Sequence, residues 1–344
     1  MGKIGKHSFT LDSRPRIVSS ATFVGQKEGK GPLGSCFDVV IKDDTLGLNS
    51  WEQAESRMYE SAVRVALAKL KLQSDSLSCL IGGDLLDQII SSGFAAREIR
   101  APFIGLYSAC STITEALMIG GMLTDGGFAE LTACAASSHF STAERQYRYP
   151  LEMGTQPAPT SQRTVTGAGS ILIAAADRAN ELNERFFTHI VLSGGTMGSV
   201  EDYGITDANN MGAAMAPAAA ETITCHFRDT GTQPNDYDRI ITGDLGKFGS
   251  EMLLDLMQKN GYDIENRHED CGKLIFSEKQ NAICGGSGCG CAATVLSSHF
   301  LPMIENGEIN RVLFLATGAL LSPTSSLQGE SIPCISHAVV IEHE

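Results

Sequence analysis

Two apolar patterns alternate along this 344-residue chain. Short, nearly continuous apolar runs at 16–24, 79–84, 102–107 and 129–136 have the length and composition of buried strands. Between them the period changes. At 51–72, residues Met58, Ala62, Val65, Ala66, Leu67 and Leu70 form one stripe with charges opposite, which predicts a long amphipathic helix. After 105–109 the spacing of Ile113, Leu117, Gly120 and Gly121 predicts a second helix running to about residue 123. Strands alternating with helices predict an α/β protein with a mainly parallel sheet covered on both faces.

The second half repeats the first. Residues 235–244, ending Ile240-Ile241-Thr242-Gly243-Asp244, align without gaps on 75–84, ending Leu80-Ile81-Gly82-Gly83-Asp84. Residues 306–318 align likewise on 126–138. The second offset matches Cys110 with Gly290, inside the glycine-rich stretch 285–291. Two copies of one unit are therefore expected, one over 1–200 and one over 210–344. The first carries an insertion at 140–166 that includes Glu144, Arg145, Tyr147, Arg148, Tyr149 and Pro150. It reads as a surface loop, suited to a partner, to a pocket lid, or to solvation with internal ion pairs.

Composition narrows the function classes. With 26 Lys+Arg against 40 Asp+Glu, the net charge of −14 opposes nucleic acid, which needs clustered cations. No apolar run approaches the ~20 residues of a membrane span. The early Lys3 and Lys6 are followed by no apolar segment, so a secretory signal is not expected. The ten cysteines lack framework spacing and read as reduced and intracellular. Cys284, Cys289 and Cys291 contain no CxxC pair, so tight helix packing is expected there rather than zinc.

Candidate chemistry gathers at the two repeated helix starts. Cys110 at a strand-to-helix junction would meet unpaired N–H groups and the positive end of the helix, a setting for a thiolate or an anion pocket. A small buried cysteine is the alternative. The Ala109-Cys110-Ser111-Thr112 helix start and the closing 316–322 segment resemble the thiolase and ketoacyl synthase superfamily. The stretches 31–38, 83–86, 142–150, 204–207, 215–220, 285–288 and 316–323 are similar to the stage V sporulation protein AD family, in order along nearly the whole chain.

That resemblance implies a thiolase-like fold of duplicated halves in five α-β-α-β-α layers. It further implies binding of dipicolinic acid, free or as its calcium chelate, and work beside the other SpoVA membrane proteins of the same operon. The expected location is intracellular, peripheral to the forespore or spore inner membrane. A homodimer is expected from the fold.

In condensing enzymes of the superfamily a histidine and an asparagine, or two histidines, activate the cysteine and hold the thioester oxygen. Matched onto this chain, those positions fall near Gly243 and Gly286, so no catalytic residues, cofactor or metal are expected. The candidate ligand-binding residues are Cys110, Ser111, Thr112, Asp84, His139, Asp244, Gly286 and Ser287, with His139 at the rim. Asp84 and Asp244 would hold loops, cap helices or meet calcium. Three readings compete: a dipicolinate-binding protein, a residual acyltransferase using Cys110, and a scaffold coupling membrane partners through the Arg/Tyr insertion.

Overall fold

The computed structural model describes residues 2–147, 158–182 and 185–344. Ten strands build the frame: β1 (Arg16–Val24), β2 (Cys79–Asp84), β3 (Phe103–Gly105), β4 (Leu131–Ser138), β5 (Gly167–Ala174), β6 (Ile190–Thr196), β7 (Arg239–Thr242), β8 (His268–Asp270), β9 (Arg311–Ala319) and β10 (Cys334–His343). Their order is β8-β7-β9-β10-β6-β1-β5-β4-β2-β3. The centre is a thin seam. β6 and β1 share the single pair Val191↔Arg16, so two five-stranded sheets meet at one edge.

Each sheet has the same internal order, and the registers repeat at the offsets of the sequence. Ile81 pairs with Cys134, and Ile241 pairs with Phe314. A β-bulge interrupts both innermost ladders at matching places, between Ile17 and Ser19 and between Leu192 and Gly194. The halves are duplicates down to this irregularity. One expectation needs correction, because only the outer strands of each sheet run parallel. β4–β5, β5–β1, β9–β10 and β10–β6 are antiparallel. The chain returns along the last strand of each unit in the opposite sense, which lets the two units join edge to edge.

Helices cover three levels. Trp51–Ala68 begins at Ser50, whose side chain accepts from the Gln53 N–H, and it packs with Ile90–Ile99 on the outer face of the first sheet through Tyr59, Val63, Leu67, Ala95 and Ile99. Met211–Thr230 and Gly246–Lys259 do the same for the second sheet through Met215, Ile223, Phe227, Leu253 and Met257. Between the sheets lie Thr112–Asp125 and Cys289–Val295, buried in one core with Ile81, Ile113, Leu117, Phe314 and Ile341. The result is the five-layered α-β-α-β-α arrangement. Apolar faces on both sides of each sheet explain why the strands read as continuous apolar runs. Among the described residues, no helix is long and apolar enough to cross a membrane.

Candidate functional site

The central helices begin beside each other at the seam between the two halves. Cys110 sits in the single turn Ala109–Ser111 that precedes Thr112–Asp125, one residue beyond Ala109 in the left-handed region at φ +47. Strain of this kind, roughly 1–3 kcal/mol, persists only where surrounding packing imposes it. Across the seam, the glycine segment pairs Gly286–Ser287 in parallel with Arg163–Thr164 from the end of the insertion. The Gln162 amide locks this ribbon by donating to the Asp244 and Gly286 carbonyls at 2.7 and 2.8 Å.

A cavity of about 60 Å³ opens between these pieces. Cys110, Ser287 and Thr164 line it, with Leu85, Met211, Met215, Ala319 and Leu321 as apolar walls and Ala143, Glu144 and Tyr147 from helix Phe140–Tyr147 on one side. Asp244 lies behind Cys110 and Ser287, both of which interact with its carboxylate. It is fully buried. Its Oδ2 accepts the Gly288 N–H at 2.7 Å, while Oδ1 has no well-formed hydrogen bond among the described residues.

This arrangement overturns the thiolate reading of Cys110. Burial, reinforced by the Asp244 carboxylate, pushes the Cys110 thiol well above its usual range, so it stays protonated. Burial also pushes the Asp244 carboxyl up to about 7. Three N–H groups at these helix starts are also already engaged. Gly288 N–H serves Asp244, Gly290 N–H serves the Ser138 hydroxyl, and Ser111 N–H serves the Ser108 carbonyl.

The remaining sequence candidates divide. Ser111 and Thr112 hydroxyls donate back to the Ser108 and Ala109 carbonyls at 2.7 Å, next to the cavity but outside its lining. Gly286 belongs to the ribbon. Asp84 points elsewhere: its carboxylate accepts the Leu86 N–H (2.9 Å), the Ser92 N–H (2.7 Å) and the Ser92 hydroxyl (2.7 Å), which fixes the loop into helix Ile90–Ile99. His139 is not at the rim. It is buried, its Nδ1 accepts the Ser141 N–H, and its Nε2–H donates to the Asp44 carbonyl, a neutral structural imidazole. Burial lowers its pKa further. No histidine or asparagine lines the cavity among the described residues.

The expectation of a surface loop at 140–166 also changes. Residues 140–147 form a helix with Thr142, Ala143 and Glu144 buried. Arg145 pairs with Glu52 and stacks over the Trp51 ring. Arg148, Tyr149 and Pro150 lie outside the described residues. The densest cysteine group is buried packing, with Cys289 Sγ donating to the Ser137 carbonyl at 2.8 Å. Among the described residues no group of three metal-ligating side chains is found.

Glu55 is the main polar residue that periodicity overlooked. It sits on the buried stripe of helix Trp51–Ala68, where an acid between Ala54 and Met58 was the available signal. Ser137 donates to Oε1 at 3.0 Å, and Thr142 Oγ1 lies 2.8 Å from Oε2 and 2.9 Å from the His139 carbonyl. One hydroxyl proton cannot serve both acceptors, so a proton on Glu55 completes the set. Burial, then the neighbouring Asp84, push its carboxyl up to about 8, in agreement. Glu55 thus ties the outer helix to the helix that forms one wall of the cavity.

Paired five-stranded sheets, with two central helices opening onto a cysteine cavity at their junction, define a thiolase-like protein. Solved structures agree. Human mitochondrial 3-ketoacyl-CoA thiolase in complex with CoA superposes with a TM-score of 0.61 at 12% identity, over 99% of this chain and 100% of that one. A single-substitution variant of Xanthomonas campestris OleA gives a TM-score of 0.58 at 14% identity, over the same shares. At such identities these likenesses show the fold alone. The family match is closer. The model of the stage V sporulation protein AD family covers residues 5–342, and Stage V sporulation protein AD of Bacillus subtilis (strain 168) is 43% identical over 338 residues, 98% of this chain and 97% of that protein. The chain belongs to the stage V sporulation protein AD family, and its role is in sporulation.

Proposed function

We propose that this chain is a non-catalytic binding protein for dipicolinic acid, serving its uptake into the forespore and its release in germination beside the other SpoVA membrane proteins. The observation that carries the non-catalytic reading is the company of Cys110. A protonated thiol faces a carboxylate in a cavity whose described lining contains neither histidine nor asparagine. Without the histidine and asparagine that hold the thioester oxygen in condensing enzymes, thioester condensation loses several orders of magnitude in rate.

Dipicolinic acid as ligand follows from the family resemblance, and three features of the cavity support it. The cavity is small, its walls at Leu85, Met211, Met215 and Leu321 are apolar and suit a planar ring, and Ser287 and Thr164 bring hydroxyl groups to its lining. The exposed edge strand β3, with Ile104 outward, supports the expected homodimer.

Titration calorimetry of the purified protein with dipicolinate, with and without Ca²⁺, tests the proposal. Saturable heat is expected. Absence of binding under both conditions removes the ligand assignment. A stable acyl adduct on Cys110 after exposure to acyl-CoA thioesters, read by intact mass, would restore the acyltransferase reading.

A further inference from the structure

One surface beside the cavity differs from the rest of the molecule in its charges. Residues 186–227 and 312–344 contain no lysine or arginine, although the chain has 26 of them. The two stretches lie side by side. The short strand Val200–Glu201 pairs with Ile335 and Cys334 of β10, the Ser331 hydroxyl donates to Asp202 at 2.6 Å, and the Ile332 N–H donates to the Ile205 carbonyl at 2.8 Å. Both stretches also reach the cavity, the first at Met211 and Met215 and the second at Ala319 and Leu321.

Large apolar side chains stand out of this face. Leu327 is 89% exposed, Tyr203 63%, Val200 54% and Met197 41%. The charges beside them, Glu201, Asp202, Asp207 and Glu330, are all acidic and make no ion pair among the described residues. Other exposed rings are covered from within the chain. Lys69 Nζ lies 4.1 Å from the centre of the Phe186 ring, and the guanidinium groups of Arg97 and Arg145 lie over Phe94 and Trp51 at 4.9 and 5.6 Å. Tyr203 is more exposed than any of these three rings, and among the described residues no cation covers it.

An exposed apolar face rimmed by charge marks an interaction site, and a single sign of charge selects what can occupy it. A second copy of the chain is a poor occupant, because a two-fold contact sets the same carboxylates against one another. Anionic lipid is opposed by the same charges. A segment that carries cations between apolar side chains fits. The strand Val200–Glu201 has β10 on one side and no strand on the other, so an extended segment can lie along it.

We propose that this face docks an extended segment of a partner protein that carries Lys or Arg between apolar residues: the cations sit over Tyr203 and against Glu201, Asp202, Asp207 and Glu330, and the apolar side chains cover Val200 and Leu327. The inference rests on the proposed function, whose membrane-protein partners supply the segment, and it sets that partner beside the cavity.

The test uses overlapping synthetic peptides from the extramembrane stretches of the membrane proteins encoded beside this chain, each titrated with the full chain by fluorescence anisotropy. Peptides that combine several Lys or Arg with apolar residues should bind, less tightly as salt is added. Glu201 and Glu330 make no side-chain hydrogen bond among the described residues, so reversing their charge leaves the fold intact. Glu201→Lys with Glu330→Lys should weaken those peptides roughly tenfold, and Tyr203→Leu, which keeps apolar bulk but removes the ring face, severalfold. Glu98→Lys with Glu181→Lys makes the same change in net charge on other surfaces and should bind as wild type does.

Absence of binding by every peptide overturns the inference, as does equal weakening by the two charge-reversed pairs. Binding of wild type to phosphatidylcholine or phosphatidylglycerol vesicles that Leu327→Asp abolishes overturns it as well, and assigns the face to a lipid surface. Dipicolinate calorimetry separates this inference from the proposed function. The charge-reversed variants should bind dipicolinate as wild type does. If no protein binds it, the ligand assignment fails and the peptide titration still decides the surface.

Discussion

Asp84 ends β2, paired with Ser137 of β4, and Asp244 holds the equivalent place in the repeat two residues beyond the end of β7, yet their surroundings differ. Asp84 spends both oxygens on the backbone and side chain of its own loop. In the second half that task has passed to Asp270, which accepts from the Leu245, Gly246 and Lys273 N–H groups and the Thr242 hydroxyl. Asp244 is thereby released toward Cys110. The two halves thus hold two carboxylates at equivalent places, and in the second half a neighbour holds the loop.

Substitutions can break or sharpen that contrast. The largest effect is expected from Asp84→Ala, which strands two buried N–H groups and a hydroxyl. A loss of roughly 3–5 kcal/mol in urea unfolding follows, against about 1 kcal/mol or less for Asp244→Asn. Comparable losses for the two would end the distinction between a carboxylate that holds its loop and one that does not.

A smaller effect is expected where the halves differ by a side chain. A Cβ on Gly290, the counterpart of Cys110, would stand 2.4 Å from the Gly167 carbonyl oxygen and 2.6 Å from Ser138 Oγ. Gly290→Ala should therefore lower stability by about 1–3 kcal/mol, whereas Cys110→Ala should cost less. An unchanged midpoint for Gly290→Ala would mean that the start of the second central helix is not wedged against β4 and β5 of the first half.

A separate effect concerns pH. The folded-state pKa of Glu55 lies near 8, above its ordinary 4.5, so the folded protein holds a proton that the unfolded chain releases. This contribution is complete below about pH 4.5 and fades as pH rises toward 8. Glu55→Gln, which keeps the shape without the charge, should match wild type near pH 4 and exceed its stability by several kcal/mol near pH 9. A parallel pH dependence in both proteins would show that Glu55 is ionised throughout.

Much of the frame was legible in the chain itself. Apolar runs and helical stripes located β1 to β4 and the first central helix, and the repeat at offsets of 160 and 180 residues placed β7, β9 and the second central helix and anticipated registers that the sheets display pair by pair. The placement of Cys110 opposite Ser287 followed from the same repeat. Local order of this kind is written in side-chain periodicity and glycine position, which act over a few residues. The direction of individual polar side chains was not legible. Whether His139 faces a cavity or the Asp44 carbonyl, whether Asp84 or Asp244 keeps a free oxygen, and whether Cys110 holds or loses its proton depend on groups dozens to hundreds of residues away. Burial sets those outcomes by removing water from around a charge, and only the assembled halves determine what replaces it.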